Sequence, residues 1–402
     1  MNKDKNILIQ LNPKESLLKR KIRRHLASLG FTKADGGALL APGFTKEVIR
    51  AVHAPQRKVI LENSSTFLSK SLPVLQKHFA AGAEVDASKI APRLERVVSG
   101  TWQSDLFRLA SLSWSVPVSS GFGRRLRFLL WDEQNGKLIG LLAIGDPVFN
   151  LAVRDKFIGW SGADRAERLV NVLDAYVLGA IPPYNMLLGG KLVACMVRSR
   201  EIYDEFAATY GQSVGIISQQ SKHPQLLAVT TSSSMGRSSL YNRLKIDGTV
   251  YFKSLGFTGG WGHFHVPDNL FVEMRDYLRQ KGHEYADLHA FGQGPNWRIR
   301  TIRAALAELG FKGDLLKHGI QREVFVSLLA DNSLELLRGE TGLTKLDSLQ
   351  SAKAIGEVAV NRWLIQRACS HNEYKQWSPL FMEGLIKTGL TYKTVEPVSI
   401  AV

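Results

Sequence analysis

The spacing of hydrophobic residues near the start of the chain is that of amphipathic helices. Within Lys14–Phe31, leucine and isoleucine recur three or four positions apart, which predicts a helix whose end is marked by Gly30. Similar patterns predict helices around Lys46–Ala54 and over Thr66–Ala81. Residues 1–90 are therefore expected to form a small helical domain.

The spacing of the apolar residues changes after Glu84–Ser99. We interpret this polar stretch as a domain boundary. Arg124–Trp131 and Leu138–Ile144 are two apolar runs of strand length, and the turn residues between them predict a β-hairpin. Four more segments follow in the order helix, strand or loop, helix and strand: Ala163–Ala175, Tyr184–Val197, Arg198–Tyr210 and Leu226–Thr231. Such a mixture is typical of an α+β or α/β core with a partly antiparallel sheet, over residues 91–268.

Helical patterns dominate again over residues 269–402. Leu270–Lys281, Trp297–Leu309 and Ser348–Cys369 are predicted helices, and Gln321–Leu329 is a predicted strand. The predicted fold class is therefore α+β, with α/β as the alternative: a basic helical N-terminal domain, a mixed sheet core and a helix-rich C-terminal part.

Charge adds a functional expectation to this picture. The 402 residues include 52 Lys and Arg against 36 Asp and Glu, a formal net charge of +16. Residues 1–60 alone hold 13 Lys and Arg and four Asp and Glu. Because basic surfaces attract polyanions and release counterions from phosphates, this charge favours nucleic acid as the partner. The alternative is a basic coat that serves solubility.

Several classes of protein are disfavoured. The two cysteines, Cys195 and Cys369, show no metal-ligand spacing, which fits buried thiols in a reducing compartment. Residues 1–12 lack the pattern of a signal peptide. The longest apolar stretch, Val177–Val197, is interrupted by prolines and polar residues and is not expected to span a membrane. We therefore expect a cytoplasmic protein without a membrane partner.

Two kinds of segment could contact phosphates. Thr230–Lys245 carries seven serine and threonine residues around Gly236. A predicted strand precedes them and a short helix is predicted at Ser238–Leu244, an arrangement that can aim backbone N–H groups at an anion. A self-capping turn is the alternative. Basic and aromatic residues on two predicted helices could contact backbone and bases. The candidate nucleic-acid and phosphate ligands are Lys19, Arg20, Lys21, Arg23, Arg24, Arg237, Ser238, Arg243, Trp297, Arg298, Arg300 and Arg303.

A second motif suggests metal chemistry. His263 and His265 flank a phenylalanine and would share one face of a strand, where they could hold a divalent metal with Asp268. The His–hydrophobe–His pair resembles the metal-binding motif of single-strand-nicking endonucleases and Rep proteins, which implies a nucleophilic tyrosine on a following helix. Tyr277 lies at such a place. The alternative is that the two histidines have a purely structural role and bind no metal.

Five segments resemble, in order and spacing, the Druantia anti-phage defence protein A family: Leu173–Ala194, Thr230–Leu244, Gly256–Phe271, Gly294–Leu306 and Lys317–Asn332. This resemblance implies a component of a multi-gene bacterial antiviral system with a large helicase-like partner, and it implies no particular reaction. The core also loosely resembles acetyltransferase-type folds through Arg124–Ile144 and Gly189–Tyr210, although the acyl-CoA pyrophosphate loop is missing.

Three hypotheses follow for the activity. The leading one is a defence component that binds nucleic acid, DNA rather than RNA, through its basic surfaces. The second is metal-dependent DNA nicking or strand transfer through the two histidines and Tyr277, for which a divalent metal would be the cofactor. The third is a non-catalytic assembly subunit of the defence complex.

Overall fold

The structure is a computed structural model that describes residues 13–35, 39–121, 123–214, 221–287, 297–311 and 313–389. Its strands are β1 Thr32–Lys33, β2 Leu39–Leu40, β3 Pro92–Arg96, β4 Arg125–Asp132, β5 Lys137–Gly145, β6 Val172–Ala180, β7 Ser213–Val214, β8 Ser221–Lys222, β9 Ala228–Ser232, β10 Lys245–Ile246, β11 Thr249–Val250, β12 Lys253–Phe257 and β13 Glu323–Leu328.

The α-helices are α1 Pro13–Ser28, α2 Lys46–Glu62, α3 Ser65–Leu75, α4 Trp102–Ser111, α5 Ala152–Ile158, α6 Gly162–Arg168, α7 Gly189–Cys195, α8 Arg200–Tyr210, α9 Asp268–Gln280, α10 Trp297–Glu308, α11 Ser333–Leu337, α12 Ala352–Ala359, α13 Gln366–Ser370 and α14 Met382–Thr388. A π-helix at Val360–Ile365 joins α12 to α13. Within the part of the chain that the structure describes, no helix is both long and apolar enough to cross a membrane.

The chain divides into two compact units, and both are discontinuous in sequence. Unit 1 comprises Met1–Gln56 and Gly259–Gln321, and unit 2 comprises Arg57–Thr258 and Arg322–Val402. The sequence-based division at residues 90 and 268 has different bounds. In unit 2 the polar stretch at Glu84–Ser99 contains β3, which pairs with β4 at the edge of a sheet.

The sheet of unit 2 is mixed and has seven strands in the order β12-β13-β9-β6-β5-β4-β3. Its neighbouring strands are antiparallel, except that β6 and β9 are parallel and pair Val172 with Ala228 and Asp174 with Thr230. A parallel pair needs a crossover, and α7 and α8 lie within it. Because parallel strands point the same way, the segments that follow Ala180 and Ser232 both begin at the carboxyl edge of this pair.

Both faces of the sheet are covered by helices of unit 2. Along β5, Ile139, Leu142 and Ile144 belong to the core that includes α7 and α12, whereas Leu138 and Leu141 belong to the core that includes α4 and α14. A strand that is buried on both faces has an almost continuous apolar sequence. This explains the apolar run from which the hairpin was predicted.

The α+β prediction is confirmed, as are the hairpin of β4 and β5 and the helix α10. The segments Ala163–Ala175 and Tyr184–Val197 were assigned wrongly. Ala163–Ala175 contains the end of α6 at Arg168 and the start of β6 at Val172, and Tyr184–Val197 contains α7 instead of a strand. The residues Leu192–Val197 are all buried, so they lack the amphipathic period by which a helix is recognised. Of the two cysteines, Cys195 is buried as expected and Cys369 is exposed.

Candidate nucleic-acid interface

Unit 1 brings together two basic helices that are far apart in sequence. Both α1 and α10 pack against α9. A small cavity is lined by two histidines and by apolar residues of the three helices and of the segments that precede α9 and follow α10. The apolar residues are Ile22, Leu26, Val266, Leu270, Met274, Leu306 and Leu315. The apolar faces of α1 and α10 are thus buried within unit 1, which leaves their basic positions at its surface.

The basic residues of α1 fall into two groups. Lys19 pairs with Glu15 at 2.7 Å, and Lys21 pairs with Glu273 of α9 at 2.8 Å. Arg20 and Arg24 are exposed, and no ion pair joins either of them to a residue that the structure describes. Arg23 is also exposed, with its guanidinium carbon 5.2 Å from the Phe311 ring centroid.

The predicted residues of α10 divide in the same way. Arg298 pairs with Asp268 at 2.6 Å and lies over the ring of Phe271, against which Trp297 also packs edge-on. Arg298 and Trp297 therefore hold the start of α10 against α9. Arg300 and Arg303 are exposed and form no ion pair with any described residue.

The sequence of unit 1 is basic as a whole. It contains 19 Lys and Arg against 11 Asp and Glu in 119 residues, a net charge of +8. Half of the chain's net charge of +16 is therefore concentrated in less than a third of its length.

The histidine motif forms a turn and not the strand that was predicted. Gly260 has a φ of +68° and lies so close to Gly319 that a Cβ on it would be 2.9 Å from the backbone of Gly319. Such a conformation and such a close approach both require glycine, which the run of glycines in the sequence provides. His263, Phe264 and His265 follow Gly260 within the turn. A strand geometry with both imidazoles on one face is therefore not formed.

His265 is buried in unit 1. Its Nε2 lies 2.9 Å from the Leu315 carbonyl oxygen, and its own carbonyl oxygen lies 2.8 Å from His25 Nε2. Asp268, the third predicted metal ligand, is paired with Arg298. In the described parts of the chain, no three His, Cys, Asp or Glu side chains are grouped so that they could hold a metal ion.

Tyr277 is buried in α9. Its hydroxyl lies 3.3 Å from the Glu308 carbonyl oxygen and 3.4 Å from a carboxylate oxygen of Glu15. Burial and the negative charge of Glu15 raise the pKa of Tyr277, which makes its phenolate harder to form. Nicking through His263, His265 and Tyr277 stays a prediction from the sequence.

The Ser/Arg turn after β9 is organised by a carboxylate that sequence analysis missed. Glu323 at the start of β13 is buried, and it accepts hydrogen bonds from the Ser238 N–H at 3.0 Å, the Asn242 amide and the Ser254 hydroxyl. Burial alone would raise the pKa of Glu323, but these donors and the charge of Arg237 lower it. The only signal in the sequence is an acidic residue that precedes an apolar strand.

The expected helix at Ser238–Leu244 is wrong, since the segment contains only a 3₁₀ turn at Tyr241–Arg243. The N–H of Ser238 that could face an anion is already bonded to Glu323. Arg237 precedes this turn and Arg243 is its last residue, and both are exposed. They belong to unit 2, whereas the basic residues of α1 and α10 belong to unit 1.

Acid should destabilise unit 1. Burial lowers the pKa of His263 and of His265 to about 4, from an ordinary value of 6.5. The unfolded chain therefore takes up protons first as the pH falls through 6.5, and stability is lost between pH 6.5 and about 4. We expect the shift of His265 alone to make unit 1 about 2 kcal/mol less stable at pH 5 than at pH 7.5, and His263 to add to this loss. Hydrogen exchange of the α9 amides measures the change.

Unit 2 supplies the control for this experiment. Burial raises the pKa of Asp174 to about 6, so protonation of this carboxyl favours the folded state as the pH falls. The amides of β6 should therefore not share the acid-dependent loss. An equal loss of protection in α9 and β6 would contradict the assignment to His263 and His265.

Comparison with known proteins agrees with the resemblance found in the sequence. The family model of Druantia protein DruA matches residues 44–339. This chain belongs to the DruA family. It is 61% identical over 377 residues to the Druantia protein DruA of Escherichia coli strain UMEA 4076-1, which covers 94% of this chain and 93% of that protein. No solved structure matches the chain.

Membership in the DruA family assigns the biological role at the level of the system. The chain is a component of the Druantia anti-phage defence system. The matched range includes α9 and α10 of unit 1 and the complete seven-stranded sheet of unit 2. The basic helix α1 precedes it.

Proposed function

We propose that this defence component binds nucleic acid, DNA in particular, through the basic surface of unit 1. The observation that carries the proposal is the pair of exposed arginines on each of two helices, Arg20 and Arg24 on α1 and Arg300 and Arg303 on α10. None of the four is joined by an ion pair to a residue that the structure describes.

The spacing of these arginines supports a ligand with repeated charges. Arg20 and Arg24 are four residues apart and Arg300 and Arg303 are three apart, so each pair lies on one side of its helix. Like charges at these spacings destabilise a helix by about 0.2–0.5 kcal/mol per pair. A phosphate backbone would relieve this repulsion by neutralising both members of a pair.

The proposal is tested by removing charge at matched positions of α1. The double variant Arg20→Gln/Arg24→Gln should bind a DNA duplex about tenfold more weakly, and the slope of log affinity against log salt should fall by about 2. Fluorescence anisotropy over a salt series measures both. The same double change on α10, at Arg300 and Arg303, should have a similar effect.

The control removes two charges from the same helix. Lys19 and Lys21 are already paired with Glu15 and Glu273, so Lys19→Gln/Lys21→Gln should change the salt slope much less. If Lys19→Gln/Lys21→Gln lost as much affinity for DNA as Arg20→Gln/Arg24→Gln, net charge alone would explain binding. If the unmodified protein bound DNA with no dependence on salt, the proposal would be rejected.

A further inference from the structure

Unit 2 has a cluster of three basic side chains at the carboxyl edge of its parallel strands. Lys191 lies in α7, which follows β6, and Arg243 lies in the turn that follows β9. Arg362 lies in the π-helix, a rare conformation that is frequent at functional sites. Ligands of open sheets that contain parallel strands commonly bind beyond the carboxyl ends of those strands.

Direct contacts hold these three segments together. Lys191 Nζ and the guanidinium carbon of Arg362 lie 5.2 Å and 5.8 Å from the centroid of the same Trp363 ring. Arg362 Nη1 donates to the Lys245 carbonyl oxygen at 2.7 Å, two residues beyond Arg243. On the other side, a Cβ on Gly190 would lie 3.2 Å from Leu240 of the turn that carries Arg243.

The charges in this cluster are not compensated. Burial, and then the charges of Arg243 and Arg362, lower the pKa of Lys191. Within the described residues, no ion pair joins Lys191, Arg243 or Arg362 to a carboxylate. By contrast, the fully buried guanidinium of Arg154 in the same unit is paired with Asp155. Three neighbouring cations without a carboxylate repel one another, and an anion with several charges would relieve that repulsion.

We propose that Lys191, Arg243 and Arg362 bind the phosphate groups of a ligand, with two adjacent phosphates matching the three cations. Guanidinium groups bind phosphate oxygens in pairs of hydrogen bonds, and an ammonium adds a point charge. Phosphates of this kind occur in small molecules and in nucleic acid. We assign the site to a small pyrophosphate-bearing ligand because Lys191 is partly buried, which suits a compact group better than a duplex backbone.

Titration calorimetry of the full chain with inorganic pyrophosphate at low salt tests the assignment. We expect saturable binding that Lys191→Met and Arg243→Gln each weaken about tenfold or more. Methionine keeps the apolar packing of the Lys191 stem on Trp363, and thermal unfolding verifies that the variants fold. The control is Lys70→Met on α3, which removes an exposed charge of the same unit and should leave pyrophosphate binding unchanged.

A second arm distinguishes the two sources of phosphate. Single-stranded DNA is titrated into the same variants, and the small-ligand assignment requires that Lys191→Met weaken pyrophosphate binding much more than DNA binding. An equal loss for both would assign these residues to a nucleic-acid backbone and overturn the proposal. The proposal would also be overturned if pyrophosphate binding were not saturable, or if Lys70→Met weakened pyrophosphate binding as much as Lys191→Met does.

The inference does not depend on the proposed function, because its residues lie in unit 2 and those of the DNA surface lie in unit 1. Arg20→Gln/Arg24→Gln should retain pyrophosphate binding even where it loses DNA. Failure of either proposal is therefore seen separately.

Discussion

Replacing Asp155 with asparagine should lower the free energy of unfolding by about 3–5 kcal/mol, the usual effect of leaving a buried charge without its partner. The guanidinium of Arg154 is fully buried and donates two hydrogen bonds, at 2.9 and 2.7 Å, to one carboxylate oxygen of Asp155. The other oxygen accepts from Arg165 at 2.8 Å. Asparagine has nearly the same shape, but it removes the charge that offsets two guanidinium groups.

The remaining hydrogen bonds of Arg154 are made with backbone carbonyl oxygens of Val148 and Phe149, at 2.9 and 2.8 Å. These carbonyls hold the guanidinium in place without neutralising it. Because the guanidinium is fully buried, the substitution leaves its charge in the interior of unit 2. Burial already lowers the pKa of Arg154, and Asp155 opposes that shift.

Urea denaturation followed by circular dichroism measures the change. The matched control is Asp276→Asn in α9, where an exposed carboxylate pairs with Arg279, which is also paired with Asp287. We expect a change within about 0.5 kcal/mol for this surface pair. Equal effects at Asp155 and Asp276 would show that the buried pair is not a special contributor to stability.

The parts of the fold that could be predicted from the sequence are those that local patterns specify. The hairpin of β4 and β5 is encoded by two contiguous apolar runs and the turn between them, and α10 is encoded by its amphipathic period. The helix α7 was missed because Leu192–Val197 is a continuous buried run that leaves little alternation to read. The start of β6 was missed because it follows α6 after only a short 3₁₀ turn, and the two were assigned to one helix.

The candidate sites divide along the same line. The basic positions of α1 and α10 were visible as residues, but which of them are paired was not, because Glu273 lies 252 positions from Lys21. Lys191 and Arg362 are likewise brought to one tryptophan ring by tertiary packing alone. A single sequence reports the charge of a residue, whereas its partners are a property of the fold.

Replacing Glu323 with alanine is expected to lower the free energy of unfolding by about 3 kcal/mol, because the buried carboxylate accepts three hydrogen bonds that each contribute about 0.5–1.5 kcal/mol. The Ser238 N–H, the Asn242 amide and the Ser254 hydroxyl would all lose their acceptor. Chemical denaturation measures the loss. Glu95→Ala on the edge strand β3, where the carboxylate is partly exposed, should cost less than about 1 kcal/mol.

The same substitution also tests how the phosphate cluster is assembled. Glu323 fixes the turn between β9 and β10, and Arg243 lies in this turn. If the turn positions Arg243, Glu323→Ala should weaken pyrophosphate binding. The electrostatic effect has the opposite sign, because Glu323 is an anion and its removal would favour the binding of a phosphate. Tighter binding in this variant would show that electrostatic repulsion outweighs positioning. Weaker binding would identify Glu323 as a positioning residue, which acts on the ligand only through the backbone that carries Arg243.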